Sequence, residues 1–312
     1  MNIFNHPRAL FILKAAVFVI MAWYIADRLF INDDFNAQLN LFKQGLQSAN
    51  VVYVLVAFLL LPLNWGIESL KWKWLINSEA PFVNLLQSVI TGVTFGFISP
   101  ARSGEFIGRI MYLNHADKTR VFYLSSIGGI AQTAATLVAG VFCVMLWSSD
   151  SLLNGLMVGI TVAFLFIFFR FDLFNRLIST NDFLHRKGLL ISGNELPAVV
   201  TQIKVLIASF IRYMVYLIQY VLILRFFEVS DSLLMLTIYS GVFLVAQTFS
   251  PLMPFFDISY RGGSILYVFK ETGSNSIALV SAVTLVWFIN LLIPALIGYF
   301  FILRKKDNPL SV

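Results

Sequence analysis

Two stretches of this sequence set an acid and an arginine one helical turn apart, shortly after a proline. The first reads TGVTFGFISPARSGEFIGR, Thr91 to Arg109, and puts Glu105 and Arg109 at i,i+4 with Arg102 just upstream. The second reads FSPLMPFFDISYRGG, Phe249 to Gly263, and puts Asp257 and Arg261 at the same spacing. A guanidinium grips a phosphate through paired N–H groups, and a nearby carboxylate serves as its counter-ion, as a headgroup contact or as a general acid–base. A third group, Arg212 with Tyr216, Gln219 and Tyr220, recurs at i, i+4, i+7 and i+8 and makes a polar stripe on an otherwise apolar helix.

The residues around these charges are those that interrupt a helix. Pro100 has no amide hydrogen and drives Ser99 out of the helical region, so the chain breaks there and restarts near Ser103–Gly104. A restarted helix leaves backbone amides and the positive end of its dipole free to hold an anion. Gly92 and Gly96 lie on one face and permit close approach of another helix. Pro251 and Pro254 break the second segment, and Gly262–Gly263 allow a tight backbone. The hinge set is therefore Gly96, Pro100, Gly104, Pro251, Pro254 and Gly262, and the binding set is Arg102, Glu105, Arg109, Arg212, Asp257 and Arg261.

Other chemistries lack their residues. Cys143 is the single cysteine and sits in an apolar run, and His6, His115 and His185 are far apart, so the sequence offers no metal-ligand spacing and predicts no metal or cofactor. No nucleotide-binding glycine loop and no nucleophile beside a base is visible. The net charge of +6 is scattered between apolar runs and forms no basic face, which excludes nucleic acid as a partner.

The elements that must position these charges follow from composition. Of 312 residues, 59% are hydrophobic; with Tyr exchanged for Gly to match the usual count the share is roughly 61%, against ~45–50% in soluble domains. Charged residues make up 12%, about half the usual share, and the mean hydropathy is +0.82. A water-soluble chain of this length has no means of hiding so much apolar surface. Crossing ~30 Å of hydrocarbon takes about 20 apolar residues. Six stretches qualify: Leu10–Ile31, Val51–Ser69, Val121–Trp147, Leu152–Phe169, Val205–Phe227 and Ile277–Leu303. The first follows Arg8 and leads into Asp27 and Arg28 without a small-residue cleavage site, so it reads as a retained span.

Lys and Arg orient the spans. Arg8, Lys14, Lys71, Lys73, Lys118, Arg120, Arg170, Arg176, Arg186, Lys187, Arg304, Lys305 and Lys306 flank alternate ends, whereas Ser148–Ser151 and Glu228–Asp231 carry no positive charge. Both termini are expected in the cytoplasm. Pro81–Pro100 then enters and leaves from inside, and Leu233–Lys270 from outside. The expected fold is an all-α polytopic membrane protein of about six full spans plus two proline-broken helical hairpins of inverted orientation. Re-entrant and fully spanning hairpins both satisfy this parity. A pair of interrupted segments in corresponding halves is a sequence pointer to a transporter's central site. The whole chain, 1–312, reads as one transmembrane domain without a soluble catalytic domain. Phe171–Thr201 is expected to lie along the inner surface and Asp33–Ser48 along the outer one.

Several features look structural. Trp65, Trp72 and Trp74 with Lys71 and Lys73 have the make-up of an interfacial anchor, and Glu68 lacks the proline context of the two acid–arginine pairs. Ser125, Gly129, Gln132, Thr136 and Gly140 form a small or polar seam suited to packing within a chain or between copies, so a homo-oligomer is one expected partnership. Pro294, following Asn290, is placed to kink the last span.

NWGIESLKWKWL (Asn64–Leu75), GVTFGFISPARSGEFIGR (Gly92–Arg109) and RYMVYLIQY (Arg212–Tyr220), with Pro251 and Pro254, resemble the transmembrane region of lysylphosphatidylglycerol synthases and their free-standing flippase-like relatives. That resemblance extends over nearly the whole chain. It implies a multi-pass inner-membrane protein that moves a phospholipid or lipid-linked headgroup between leaflets, with membrane lipids, chiefly anionic headgroups, as partners. Full-length members continue into a soluble aminoacyl-transferase domain; this sequence stops at Val312, so synthase activity is not expected. Asp257-Ile-Ser-Tyr-Arg261-Gly-Gly departs from the more glycine-rich stretch ending in Glu that the family carries there. The alternative activity is a membrane-embedded lipid or glycosyl transferase using Glu105 or Asp257 as acid–base. A third reading, a structural or regulatory subunit, leaves both acid–arginine pairs unexplained.

Overall fold

Among the described residues the apolar runs fold as helices. The computed structural model describes residues 19, 23, 25–27, 35–99, 102–112, 118–173, 196–229, 232–250 and 257–304, with no strand among them. The helices are α1 (Phe35–Ser48), α2 (Val51–Ile76), α3 (Phe82–Ile98), α4 (Glu105–Ile110), α5 (Lys118–Trp147), α6 (Ser151–Phe169), α7 (Val199–Phe226), α8 (Leu233–Thr248), α9 (Asp257–Val268), α10 (Ser276–Trp287) and α11 (Ile293–Arg304). Among the described residues five helical stretches are long and apolar enough to cross a bilayer: α2, α5, α6, α7 and the run Ser276–Arg304. This is an all-α polytopic membrane protein. The first expected span, Leu10–Ile31, falls almost wholly outside the described residues, as do Pro100, Pro251, Pro254, the basic residues beyond Arg304 and most of the surface segment after Phe171.

Apolar side chains on the long helices stay exposed, including Leu59, Leu146 and Leu152 at more than two-thirds of their full area, as lipid-facing residues do. Asn64, Glu68, Lys71, Arg109, Arg212 and Asp257, by contrast, are buried. The two interrupted segments appear as the helix pairs α3–α4 and α8–α9, each broken near its prolines. Ser99, which closes α3, is extended at φ −106° and ψ 145°, as steric conflict with a following proline requires.

Ser276–Arg304 is not one regular helix. A π-helical turn, Phe288–Leu292, separates α10 from α11. Pro294 has no N–H to return to Asn290, and the wider turn absorbs that missing bond. The expected kink is therefore a π-turn.

The helices gather into two compact units. One comprises Pro62–Ala135, Val158–Tyr213 and Asn290–Val312, and the other Met1–Leu61, Thr136–Met157 and Met214–Ile289. They are called here the Glu68 unit and the Asp257 unit. In the Glu68 unit α4 and α11 both pack on α3. Thr94 Oγ1 donates to the Ala295 carbonyl at 2.8 Å, and Gly298 meets the Ile90 backbone where any side chain would collide. In the Asp257 unit α9 lies between α8 and α10, and α1 is pinned to the start of α10 by Asn275 Nδ2 donating to the Gln38 carbonyl at 2.8 Å. Gly140 of the small-residue seam abuts Val245 there.

Candidate functional site

The Glu68 unit holds an ionic network whose centre is a residue that spacing alone did not single out. Glu68 is buried in the second half of α2. Its Oε1 accepts from Arg109 Nη2 at 2.9 Å, and its Oε2 accepts from Lys71 Nζ at 3.0 Å and Arg212 Nη1 at 2.7 Å. One turn earlier, Asn64 Oδ1 accepts from Arg212 Nε at 2.5 Å, while Asn64 Nδ2 donates to Asn290 Oδ1 at 3.3 Å. Lys71 also donates to Gln132 Oε1 at 3.4 Å, and Gln132 Nε2 donates to the Ser209 carbonyl at 3.2 Å. Two tryptophans close the arrangement. The Arg109 guanidinium carbon lies 4.7 Å from the Trp72 ring centroid, and that of Arg212 lies 5.0 Å from Trp65.

The network grades from wet to dry. Side-chain exposure falls from 41% at Arg102 to 21% at Glu105, 5% at Arg109 and 1% at Lys71. Arg102 pairs with Glu105, Glu105 Oε2 meets Arg109 Nη2 at 3.3 Å, and Arg109 continues to Glu68. The expected i,i+4 pair of Glu105 and Arg109 is thus the outer rung of a longer ladder.

Close backbone contact between α3 and α4 sets this geometry. A Cβ at Gly108 would collide with the Thr91 carbonyl, one at Gly92 would come within 2.9 Å of the Glu105 carbonyl, and one at Gly96 within 2.6 Å of Glu105 Cγ. Ser88 Oγ donates to the Arg109 carbonyl at 2.8 Å. Arg102 holds a left-handed φ of +57°, an uncommon state for arginine that turns the chain from the break into α4. The Gly104 amide, expected to be free for an anion, instead donates to Ser99 Oγ at 2.7 Å.

The interfacial-anchor expectation is overturned for Trp65, Lys71 and Trp72, whereas Lys73 and Trp74 are half-buried. Trp65, Lys71 and Trp72 are buried, because α2 continues to Ile76 and carries them inward beside Glu68. The residues that spacing missed are Asn64, Glu68 and Lys71. Their signal is present nonetheless: they fall at i, i+4 and i+7, the same one-face pattern that marks Arg212.

Among the described residues Glu68 meets three cations, Lys71, Arg109 and Arg212, and Arg109 also meets Glu105, which pairs with Arg102. Arg109 Nε and Nη1 and the indole N–H groups of Trp65 and Trp72 are buried and make no hydrogen bond among the described residues. A buried donor without an acceptor costs about 1–3 kcal/mol.

The Asp257 unit holds a second cluster. Asp257 Oδ2 accepts from Arg261 Nε at 2.6 Å, and Ser250 Oγ bonds the other oxygen. Tyr220 accepts from the same guanidinium, and the Gln247 amide oxygen faces it once the amide is oriented to satisfy both partners. The Tyr220 ring stands edge-on to Phe243 at 5.1 Å. Asp257 is buried, so the pair is no surface ion pair on an external loop. At Gly262 a Cβ would approach Ile25 Cδ1 to 2.7 Å. Of the α7 stripe, Arg212 joins the Glu68 network and Tyr220 the Asp257 cluster, while Gln219 donates to the Ala57 carbonyl at 2.9 Å.

No group of three or more His, Cys, Asp or Glu able to hold a metal occurs among the described residues. What remains is a set of buried guanidinium, ammonium and amide groups within apolar helices, together with the sequence blocks that carry them. Residues 11–298 match the family described as the lysylphosphatidylglycerol synthase TM region. The chain belongs to this family. Among curated proteins none matches it. Membership in the lysylphosphatidylglycerol synthase TM region family places the protein in a lipid-related membrane setting, and it assigns no residue of either cluster.

Proposed function

We propose that this protein is a lipid transporter of the cell membrane, with both termini cytoplasmic, that moves a phospholipid or lipid-linked headgroup between leaflets. The observation that carries this reading is the Glu68 network. Three cations and a carboxylate, drawn from α2, α4 and α7, stay buried among apolar helices, where each ion costs several kcal/mol to desolvate. Such a cost is tolerated where the charges act on a polar cargo. Arg102 and Glu105 receive the headgroup at the half-exposed end, Arg109 and Arg212 carry its phosphate, and the acyl chains remain in the bilayer. Asp257 and Arg261 serve as the corresponding polar station of the other unit. The breaks between α3 and α4 and between α8 and α9, at Pro100 and Gly104 and at Pro251 and Pro254, supply the hinges, with Gly96 and Gly262 inside the adjoining helices.

Reconstitution tests it. Purified protein in liposomes is expected to speed leaflet exchange of a labelled anionic phospholipid, and Arg109→Ala or Glu105→Gln to slow it while the melting temperature shows the protein still folded. Exchange at the rate of protein-free vesicles across several lipid types would reject transport, and covalent alteration of an added lipid would favour a transferase instead.

A further inference from the structure

We infer that Lys71 is a proton-binding site linked to the headgroup site, so that an anionic lipid is carried together with a proton taken up at Lys71. The lipid half of this rests on the transport reading above; the linkage rests on the surroundings of Lys71.

Of the three cations that meet Glu68, Lys71 is the one able to change its charge. The guanidiniums of Arg109 and Arg212 stay protonated, whereas a lysine side chain exists as ammonium or as amine. Lys71 is 1% exposed, and its Nζ has two acceptors among the described residues, Glu68 Oε2 at 3.0 Å and Gln132 Oε1 at 3.4 Å. A neutral amine has two N–H groups and is satisfied by that pair; an ammonium has three and leaves one over. Arg212 Nη1 shares Oε2 with Lys71, and Arg109 Nη2 holds Oε1. Glu68 therefore keeps both guanidiniums when Lys71 is neutral, and α2, α4 and α7 stay joined.

The groups that bear on its charge come from several helices. Glu68 on its own helix presents opposite charge, Arg109 of α4 and Arg212 of α7 present like charge, and Gln132 of α5 is uncharged. A phosphate seated at Arg109 and Arg212 adds an anion beside Lys71 and favours its ammonium; departure of the phosphate withdraws that support. The effect is mutual: protonation of Lys71 tightens the anion, and the anion draws in a proton.

Carboxylates provide the way out. A Lys71 N–H lies against Glu68 Oε2, so the proton passes to that oxygen and leaves an amine and a carboxylic acid. Glu105, 21% exposed, touches the same Arg109 Nη2 as Glu68 and hands the proton on to water, which restores both carboxylates. In the Asp257 unit the cation paired with the acid is Arg261, which has no proton to give, so the linkage belongs to the Glu68 unit.

The test uses the full chain in detergent with dihexanoyl phosphatidylglycerol, whose phosphodiester stays singly charged from mildly acidic to mildly alkaline buffer. Calorimetric titration is expected to show binding about tenfold tighter in the acidic buffer, a usual size of coupling between linked sites. Proton uptake on binding is read as a difference in heat between buffers of unequal ionisation enthalpy. Lys71→Arg, always charged, is expected to hold the tight affinity in both buffers and Lys71→Met the weak one, each without proton uptake. Melting temperatures report whether the variants fold; should neither do so, proton uptake by the unaltered protein decides. Affinity independent of pH, binding without proton uptake, or a pH dependence that survives in either Lys71 variant overturns the inference. In liposomes, a pH gradient is expected to gather labelled phosphatidylglycerol in the leaflet on the alkaline side, relative to protein-free vesicles. Exchange that ignores the gradient leaves transport standing and this inference fallen; proton uptake on binding without any exchange upholds the linkage and rejects transport.

Discussion

Arg212 and Glu68, 144 positions apart in sequence, meet at 2.7 Å within apolar helices. The contact ties α7 to α2, and Arg109 reaches the same carboxylate from α4, 41 positions away. Three segments that share no local sequence are thus organised by one side chain.

Removing that charge is expected to loosen all three. Glu68→Gln leaves Lys71, Arg109 and Arg212 buried together, and breaking a buried pair costs about 3–5 kcal/mol. Thermal unfolding in detergent should show a clear drop, whereas Glu271→Gln, at a 78% exposed side chain, should leave the transition where it was. Adding Lys71→Met to Glu68→Gln is expected to recover part of the loss. Coincident melting curves for the single variant and the unaltered protein would show that Glu68 does not hold the cluster.

Glycines in the broken hairpin differ sharply from glycines elsewhere. Gly108→Ala drives a methyl group into the Thr91 carbonyl, and overpacking of that kind costs about 1–3 kcal/mol. Gly159→Ala, with nothing within 4 Å, should be neutral or mildly stabilising. Equal melting temperatures for the two variants would contradict the close seat of α4 on α3.

Arg102 separates strain from function. Its left-handed backbone costs roughly 1–2 kcal/mol for any residue other than glycine. Arg102→Gly should therefore hold or raise thermal stability, and on the transport reading it should slow lipid exchange. A variant that melts early would mean the Glu105 pairing outweighs the backbone relief.

The distribution of Lys and Arg predicts the membrane orientation of both hairpins. In a Cys143→Ser background, a cysteine at Ser103 should react with an impermeant thiol reagent from the cytoplasm and one at Glu271 from the exterior. Both positions are exposed, so labelling reports sidedness and not burial. Reaction of the two from a single face would remove the opposed-hairpin arrangement.

Much of this protein was readable from its residues because apolar runs and prolines are local signals. The helix bounds at Trp147, Phe169 and Phe226 fall within a residue of where hydropathy ends, and both acid–arginine pairs stand at the spacing that one helical turn dictates. Glu68 was harder. Its partners come from distant segments, and no single-chain periodicity announces that Arg109 and Arg212 converge on it. The flanking tryptophans misled as well: Trp and Lys side by side at the end of a span have the composition of an interface. Only the continuation of α2 to Ile76 reveals that Trp72 and Lys71 belong to the interior. The π-turn at Phe288–Leu292 was half legible, since Pro294 forecasts a lost hydrogen bond but not how the helix makes room for it.

The drop in side-chain exposure from Arg102 to Lys71 means that dissolved electrolyte reaches the rungs unequally. Mobile ions weaken attraction between charges bathed in solvent and barely touch those sealed from it. In brine the doorway rung slackens first, while the knot around Glu68 keeps its grip, so one protein contains a salt-sensitive latch and a salt-proof lock on the same string of charges.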